Sequence, residues 1–226
     1  MRHKKLYIDS TLIISLATLI VSIANAIFVG QQTKINKMLY GVQMEQMQPY
    51  YIIRTSLEMD STDGIYGTEH LKIFNNGYTN VSSIVTDIVV FELYRVQKNV
   101  IDTVRFKIND YFYAAFHSGS EDGRQVYHTY EQGNYGCFYG LYLDALHDRK
   151  DGVSYFLNKI ILVRINYSDL FGNYHAKYYI DKEEVQEQKY KKKLSSIQYE
   201  VLNLQDLDYK RMKDMFSKSK SLNEVD

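Results

Sequence analysis

The 226-residue sequence is poor in residues on which several protein classes depend. Cys137 is its single cysteine, which excludes an internal disulfide and a cysteine-rich metal site. The chain contains one proline, no tryptophan and no excess of either charge, with 27 basic and 27 acidic residues. Because the net charge is zero, no long-range field favours nucleic acid or acidic lipid as the partner. A partner therefore has to be inferred from local patterns.

Tyrosine and phenylalanine, by contrast, are abundant, with 22 and 10 copies. The hydrophobic fraction of 45% excludes a disordered chain. Aromatic residues are enriched in β-strands, so this composition favours tyrosine-rich β-structure over a bundle of helices. The length fits one ordinary domain with an appendage.

An apolar segment predicts a transmembrane anchor over residues 11–30, preceded by a short basic segment, 1–10. Residues 10–33 carry no charge. A helix rises about 1.5 Å per residue, so about 20 residues cross the roughly 30 Å of hydrocarbon. A signal peptide cleaved after residues 24–26 (Ala-Asn-Ala) and a buried core helix are the alternatives. The apolar run continues past that site, which favours the uncleaved anchor.

The polar residues of this segment recur at spacings of 4, 3, 4 and 3. They are Thr11, Ser15, Thr18, Ser22 and Asn25. This spacing places them on one stripe of a helix, where small polar side chains let membrane helices approach and hydrogen-bond. We therefore expect self-association into a homo-oligomer. Alternatively, the hydroxyl groups bond to carbonyl groups of their own helix.

The membrane orientation follows from the flanking charges. Three basic residues precede the segment (Arg2, Lys4, Lys5), and two follow it (Lys34, Lys37). Basic residues concentrate on the cytoplasmic side, so this small difference favours an extracytoplasmic C-terminal part.

Beyond the anchor, residues 31–48 continue a helical pattern and predict a stalk, with a solvated linker as the alternative. Alternation with a period of two then predicts a β-domain over residues 50–181. The expected strands are 51–59, 69–74, 84–96, 100–108, 159–167 and 174–180, with a turn at 60–64. Short strands without intervening helices are typical of an antiparallel sandwich or barrel. The predicted fold is thus mainly β with flanking helices.

Two regions are less regular. Residues 111–156 predict two further strands with long loops, or an insertion, with a helical turn at 144–149. Residues 183–217 predict one amphipathic helix. Its apolar seam consists of Tyr190, Leu194, Ile197, Val201 and Leu204. The tail is basic and the β region acidic, so we expect the tail to fold back, with a partner helix or a membrane surface as alternatives.

The sequence contains no phosphate-binding loop, H-E-x-x-H, C-x-x-C or G-x-S-x-G motif. We therefore predict no catalytic residue, no cofactor and no enzymatic activity. Asp144, His147, Asp148 and Asp151 could share one side of a helix and bind a divalent metal. Basic neighbours favour a solvated turn instead, so no metal site is predicted. We expect Cys137 to be a buried, inert thiol.

Aromatic and basic residues in or beside the tyrosine-rich segment 111–156 suggest binding of single-stranded nucleic acid, whose bases stack on aromatic rings. The candidate residues are Arg105, Lys107, Tyr111, Tyr113, Arg124, Tyr127 and Tyr130. The alternative for each tyrosine is ordinary core or cross-strand packing.

The order of anchor, stalk and β-domain resembles small bitopic membrane proteins of low-GC bacteria. Residues 74–77 (Phe-Asn-Asn-Gly) and 167–174 (Tyr-Ser-Asp-Leu-Phe-Gly-Asn-Tyr) form the turns that carry this resemblance. More narrowly, the architecture resembles lactococcal abortive-infection proteins of the AbiP type. That resemblance implies a cytosolic domain that binds RNA or single-stranded DNA and arrests phage replication. It requires an external N-terminus, against the charge count.

Two functional hypotheses follow. The first is a membrane-anchored phage-defence protein whose β-domain binds RNA or single-stranded DNA. The second is a self-associating interaction module that binds a protein partner and that could lie on the extracytoplasmic side. Both use the anchor, and the aromatic residues fit either.

Overall fold

The computed structural model describes residues 10–46, 48–59, 66–77, 82–98, 100–116, 124–169 and 171–223. The chain forms two compact units, with the boundary between Gln48 and Pro49. The predicted turn at 60–64 lies outside the described residues.

The first unit contains one continuous helix, α1 (Ser10–Gln46). Its segment Ile13–Gln43 is long and apolar enough to cross a membrane. The described side chains of this segment are exposed, as expected for a helix whose apolar surface faces lipid rather than a protein core. The helix continues without a break through most of the residues for which a stalk was predicted.

The polar stripe lies along α1, and two of its hydroxyl groups are bonded within the helix. Thr18 Oγ1 donates to the carbonyl of Ile14, and Ser22 Oγ donates to the carbonyl of Thr18, both at 2.9 Å. This is the local bonding pattern that serine and threonine commonly form in helices. Association through Ser15, Thr18, Ser22 and Asn25 stays a prediction.

The second unit contains eleven described strands and three described α-helices. In chain order the elements are β1 (Tyr51–Met59), β2 (Tyr66–Asn75), β3 (Ser82–Gln97), β4 (Val100–Asn109), β5 (Ala114–Phe116), β6 (Gln125–Tyr130), α2 (Asn134–His147), β7 (Arg149–Lys150), β8 (Val153–Ser168), β9 (Tyr174–Ile180), β10 (Glu183–Val185), α3 (Glu187–Ser195), β11 (Tyr199–Asn203), a 3-10 turn (Leu204–Asp206) and α4 (Tyr209–Asn223). The prediction of a mainly β fold with flanking helices is confirmed.

The strands form two open sheets. Sheet A has the order β1-β2-β6-β5, and every pairing in it is antiparallel. Sheet B has the order β10-β9-β8-β3-β4-β11, with the short β7 beside β8. Its pairings are antiparallel except that of β11 with β4, which is parallel. Since neither sheet closes on itself, the barrel alternative does not apply.

The strands β3 and β8 form the centre of sheet B, paired from Ser82↔Ser168 to Gln97↔Val153. Both carry continuous apolar runs because both faces of the sheet are covered. Val89, Phe91 and Leu93 face the main core, which sheet A, α2 and α4 also line. Val90 faces a second core on the opposite side, which includes Tyr190 of α3.

A buried carboxylate joins α3 to this second side of sheet B. Glu92 is 1% exposed and accepts hydrogen bonds from Arg105 Nε (2.5 Å), Lys193 Nζ (2.6 Å) and the Tyr94 hydroxyl (2.5 Å). Burial disfavours the charged carboxylate and so raises the pKa of Glu92. The three donors have the larger combined effect and hold that pKa below its ordinary value. Arg105 is therefore part of a structural ion pair.

The tail folds back and contains helices, as expected, but residues 183–217 are not helical throughout. The helix α3 ends at Ser195, and the chain then forms β11 beside β4. Gln198 forms two hydrogen bonds with the backbone of Arg105. Its backbone N–H donates to the Arg105 carbonyl (3.2 Å), and its side-chain Oε1 accepts from the Arg105 backbone N–H (2.8 Å). Pairing with an open strand edge thus satisfies backbone groups that a helix would have satisfied internally.

Helix α2 corrects the prediction for residues 111–156. The strands β5 and β6 are followed by a helix of 14 residues, whose last four residues are the first four of the predicted turn at 144–149. Leu141 and Ala145 are buried in the main core, and Phe138 and Tyr142 pack against it. This spacing of three and four residues is that of one helix face.

The same helix overturns the prediction of a buried Cys137, which is exposed. In a strand, Cys137 was expected to share the apolar environment of its neighbours. In α2 its thiol lies in the first turns of the helix, one turn before the buried Leu141, and is open to solvent. The acidic residue Asp148, once considered as a metal ligand, accepts hydrogen bonds from Tyr209 (2.7 Å) and Lys213 (2.5 Å).

The side chain of Asn134 fixes the start of α2 to sheet A. Its Oδ1 accepts from the Glu69 N–H (2.6 Å), while Nδ2 donates to the carbonyls of Glu69 (3.0 Å) and Tyr111 (2.8 Å). Asn134 is fully buried, so no solvent can replace these three bonds.

We expect Asn134→Ala to destabilise the fold by about 2 to 4 kcal/mol, because it leaves three buried backbone groups without partners. Urea unfolding of the full chain in detergent, followed by tyrosine fluorescence, measures this loss. The matched control is Asn203→Ala, at an exposed residue. Equal stability of the two variants would contradict the assigned role.

Candidate nucleic-acid interface

The residues predicted to bind nucleic acid do not lie on one face. Arg105 and Lys107 lie on β4 in sheet B, and Tyr111 and Tyr113 follow that strand. Arg124 precedes β6 in sheet A. The last two predicted residues, Tyr127 and Tyr130, lie on β6.

Tyr111 belongs to the core. It is 1% exposed, its hydroxyl donates to Glu69 Oε2 (2.7 Å), and Lys159 Nζ donates to that hydroxyl (2.8 Å). Lys159 and Glu69 also form a buried ion pair. Burial raises the pKa of Tyr111 above its ordinary value. A base cannot reach this ring in the observed conformation, so core packing accounts for Tyr111.

Tyr127 is buried in the same way. Its hydroxyl donates to Asp87 Oδ1 at 2.7 Å. Burial raises the pKa of the Asp87 carboxyl, although the hydrogen bond from Tyr127 opposes the change. By contrast, Tyr113 is 73% exposed and Arg124 is also exposed.

Tyr130 lies on the opposite side of β6 from Tyr127, because successive side chains of a strand alternate between the faces of a sheet. Tyr127 and Thr129 face the core, whereas His128 and Tyr130 face away from it. The Tyr130 ring lies 4.6 Å from the ring of His70 and 5.6 Å from that of His128. This tyrosine therefore lies on the outer side of sheet A.

The strand register gathers basic and aromatic side chains on this side. Arg54 pairs with Lys72, Lys72 pairs with His128, and His70 pairs with Tyr130. Cross-strand partners on one face are about 5 Å apart, so these side chains are neighbours. We call this surface the outer face. Its members are Arg54, His70, Lys72, Phe74, His128 and Tyr130.

Two cations of the outer face are available to a ligand. The Arg54 guanidinium lies 5.4 Å from the centre of the Phe74 ring, a cation–π contact. Within the part of the chain that the structure describes, neither Arg54 nor Lys72 forms an ion pair. Local positive charge thus exists on a β-domain whose total charge is negative.

A chain of hydrogen bonds crosses the outer face. Glu58 Oε2 lies 2.7 Å from His70 Nε2, and His70 Nδ1 lies 2.9 Å from His128 Nε2. Burial, then the charge of Lys72 and then that of His70 lower the pKa of His128. These effects therefore favour the neutral form of the His128 imidazole.

A cleft of about 510 Å³ opens beside this chain, in the size range of small-ligand sites. It is lined by Glu58, Met59, Gly67, Thr68, His70, His128, Tyr130, Gln132 and Gly133. Both aromatic and hydrogen-bonding groups are thus presented to its interior.

Sequence reasoning missed Arg54, His70, Lys72 and His128. The outward direction of Arg54 follows from the alternation in its strand, and the same reasoning applied to residues 69–74 places His70 and Lys72 outward. The position of His128 on the same face follows only from the pairing of β2 with β6, which no short-range sequence pattern reveals.

We expect Lys72→Met to raise the pKa of His128, because it removes a positive charge that disfavours the imidazolium. Histidine ring signals of the full chain, followed by NMR during a pH titration, give this pKa. Lys107→Met, which removes a charge from sheet B, is the control. An unchanged pKa in Lys72→Met would contradict the proposed electrostatics.

Comparisons with known proteins do not assign this chain to a family. No protein-family model, no curated protein and no solved structure matches it. Its function must therefore be inferred from the chemistry of the outer face and from the apolar helix.

Proposed function

We propose that this chain is a membrane-anchored binding protein, not an enzyme, whose β-domain takes single-stranded RNA or DNA on the outer face of sheet A. The observation that carries the proposal is the clustering of aromatic rings and cations on one side of a four-stranded antiparallel sheet. Proteins that bind single strands combine cations for the backbone with rings for the bases.

Each part of the outer face has a role in this mode of binding. Arg54 and Lys72 attract the phosphates, since no acidic partner among the described residues neutralises them. Tyr130 and Phe74 offer rings on which bases stack, at about 1 to 3 kcal/mol per base. Stacking tolerates any sequence because every base has a flat face, so we propose little sequence preference.

The apolar segment Ile13–Gln43 of α1 supports the membrane anchor. RNA and single-stranded DNA are available in the cytosol, so a domain that binds them lies there. The proposal therefore places the N-terminus outside the cell and the β-domain inside. The flanking charges oppose this orientation by only one basic residue.

Phage defence is the biological role that we propose for this binding. Its support is the resemblance to AbiP-type abortive-infection proteins in the order of anchor, stalk and β-domain. A tethered domain of this kind would capture phage RNA or single-stranded DNA and so arrest replication. The alternative, a self-associating module for a protein partner, has less support because the Thr18 and Ser22 hydroxyls are bonded within their own helix.

We expect the full chain in detergent to bind a labelled single-stranded RNA, and Tyr130→Ala to weaken binding by about tenfold through the loss of one stacked base. Fluorescence anisotropy at low salt measures the affinity. Tyr174→Ala is the matched control, because Tyr174 is 89% exposed but lies on β9 of sheet B.

Binding should weaken steeply as salt is added, since phosphate contacts release counterions. The absence of binding at low salt would exclude the function. The same two variants test the defence role. Cells that express Tyr130→Ala should lose protection against phage, whereas cells that express Tyr174→Ala should keep it.

Cys137 provides a test of orientation because it is exposed and has no competing thiol in the chain. A membrane-impermeant maleimide should label it only after cell lysis if the β-domain is cytosolic. Cys137→Ser gives the background. Labelling of intact cells would place the domain outside and contradict the nucleic-acid proposal.

A further inference from the structure

The hydrogen-bonded chain Glu58–His70–His128 has no role in stacking or in the contacts proposed for Arg54 and Lys72. Its two imidazoles form a wall of the cleft beside Tyr130. The His70 side chain is 12% exposed, whereas that of Glu58 is 67% exposed. The cleft therefore combines a sheltered histidine pair, an aromatic ring and access from solvent.

The positions of the protons follow from the contacts. A carboxylate only accepts hydrogen bonds, so His70 Nε2 carries a proton and donates it to Glu58. When His70 is neutral, its Nδ1 is an acceptor, and His128 Nε2 must donate to it. In the neutral pair, the Glu58 carboxylate thus determines which nitrogen of each ring carries the proton.

The same contacts limit the pair to one additional proton. With one added proton, one of the two facing nitrogens still accepts, and the contact at 2.9 Å is kept. With two, both facing nitrogens would be donors and would repel each other. The histidine pair is therefore built to gain a single positive charge while the chain of hydrogen bonds persists.

The charges around the pair decide what this proton does. Glu58 faces it from β1, Lys72 approaches His128 from β2, and Tyr130 is the neighbouring titratable group on β6. Glu58 is the charged residue among those that line the cleft, and Lys72 lies beside His128 outside that lining. A proton gained by the pair offsets the charge of Glu58, and an anion in the cleft favours that state.

We infer that the cleft is a subsite for one nucleotide of the bound strand, with its phosphate against the His70–His128 pair and its base beside Tyr130, and that filling it takes up one proton. The inference rests on the proposed function and identifies where a phosphate binds on the outer face. Without a ligand, burial and the charge of Lys72 lower the pKa of His128 and favour its neutral form. A phosphate offsets the charge of Lys72 and draws the proton in.

The test is the affinity of the full chain in detergent for a labelled single-stranded RNA between about pH 8 and about pH 5.5, at constant ionic strength. Affinity should rise as the pH falls, by at most about tenfold per pH unit for one proton, and level off once the free pair is protonated. Calorimetry in two buffers of different ionisation enthalpy should show an uptake of up to one proton at pH 7.

His128→Gln replaces one imidazole of the pair by a hydrogen-bonding side chain that does not titrate. Its own affinity at about pH 8 and at about pH 5.5 is compared, and the rise in affinity at lower pH should be lost. The matched control is His175→Gln, on β9 of sheet B, where His175 contacts Asp169 at 3.0 Å. This control should keep the complete pH dependence.

The outcomes separate the two proposals. No RNA binding at any pH overturns the proposed function and, with it, the subsite. Binding that does not change with pH, or a rise that survives in His128→Gln, overturns the subsite alone. Loss of the rise in His175→Gln overturns it as well, by assigning the proton to the other sheet. If His128→Gln fails to fold, absence of proton uptake in the calorimetry of the unmodified chain is decisive against the subsite.

Discussion

The pairing of β3 with β8 is the constraint on which the rest of the fold depends. Sixteen residues of each strand form one antiparallel register. Side-chain alternation along this register divides the apolar residues between two cores, one under sheet A and the other under α3. Any slip of one residue would exchange the two sets, moving Glu92 into the main core and Phe91 toward α3. Every element that flanks the sheet therefore takes its position from this pair.

Sheet A owes its orientation to polar contacts as well as to the core. Its inner side is joined to α2 by Asn134 and to β8 by the Glu69–Lys159 ion pair. Buried polar groups of this kind are costly unless paired, so they select one arrangement of the sheet over others. With the inner side fixed, the alternation of β1, β2 and β6 leaves a single set of side chains for solvent. The candidate interface is thus a consequence of how the inner side is bonded.

The sequence predicts the strands well because their periodicity is local, and all six expected strands correspond to observed ones. It fails where the decision is made by distant residues. Helix α2 carries Tyr, Phe and two glycines, which favour a strand or loop locally, and burial of Leu141 and Ala145 overrides that preference. For β6, aromatic residues occupy both sides of the strand, so composition cannot distinguish the buried Tyr127 from Tyr130. That choice depends on pairing with β2, more than fifty residues away in the chain.

The exposure of Cys137 has a consequence for the redox environment of the β-domain. A lone accessible thiol has no partner within its chain, so in an oxidising compartment it would form mixed disulfides or join two molecules. Glutathione and thioredoxin keep such thiols reduced in the cytosol. In the cytosolic orientation that we propose, Cys137 would therefore stay a free thiol.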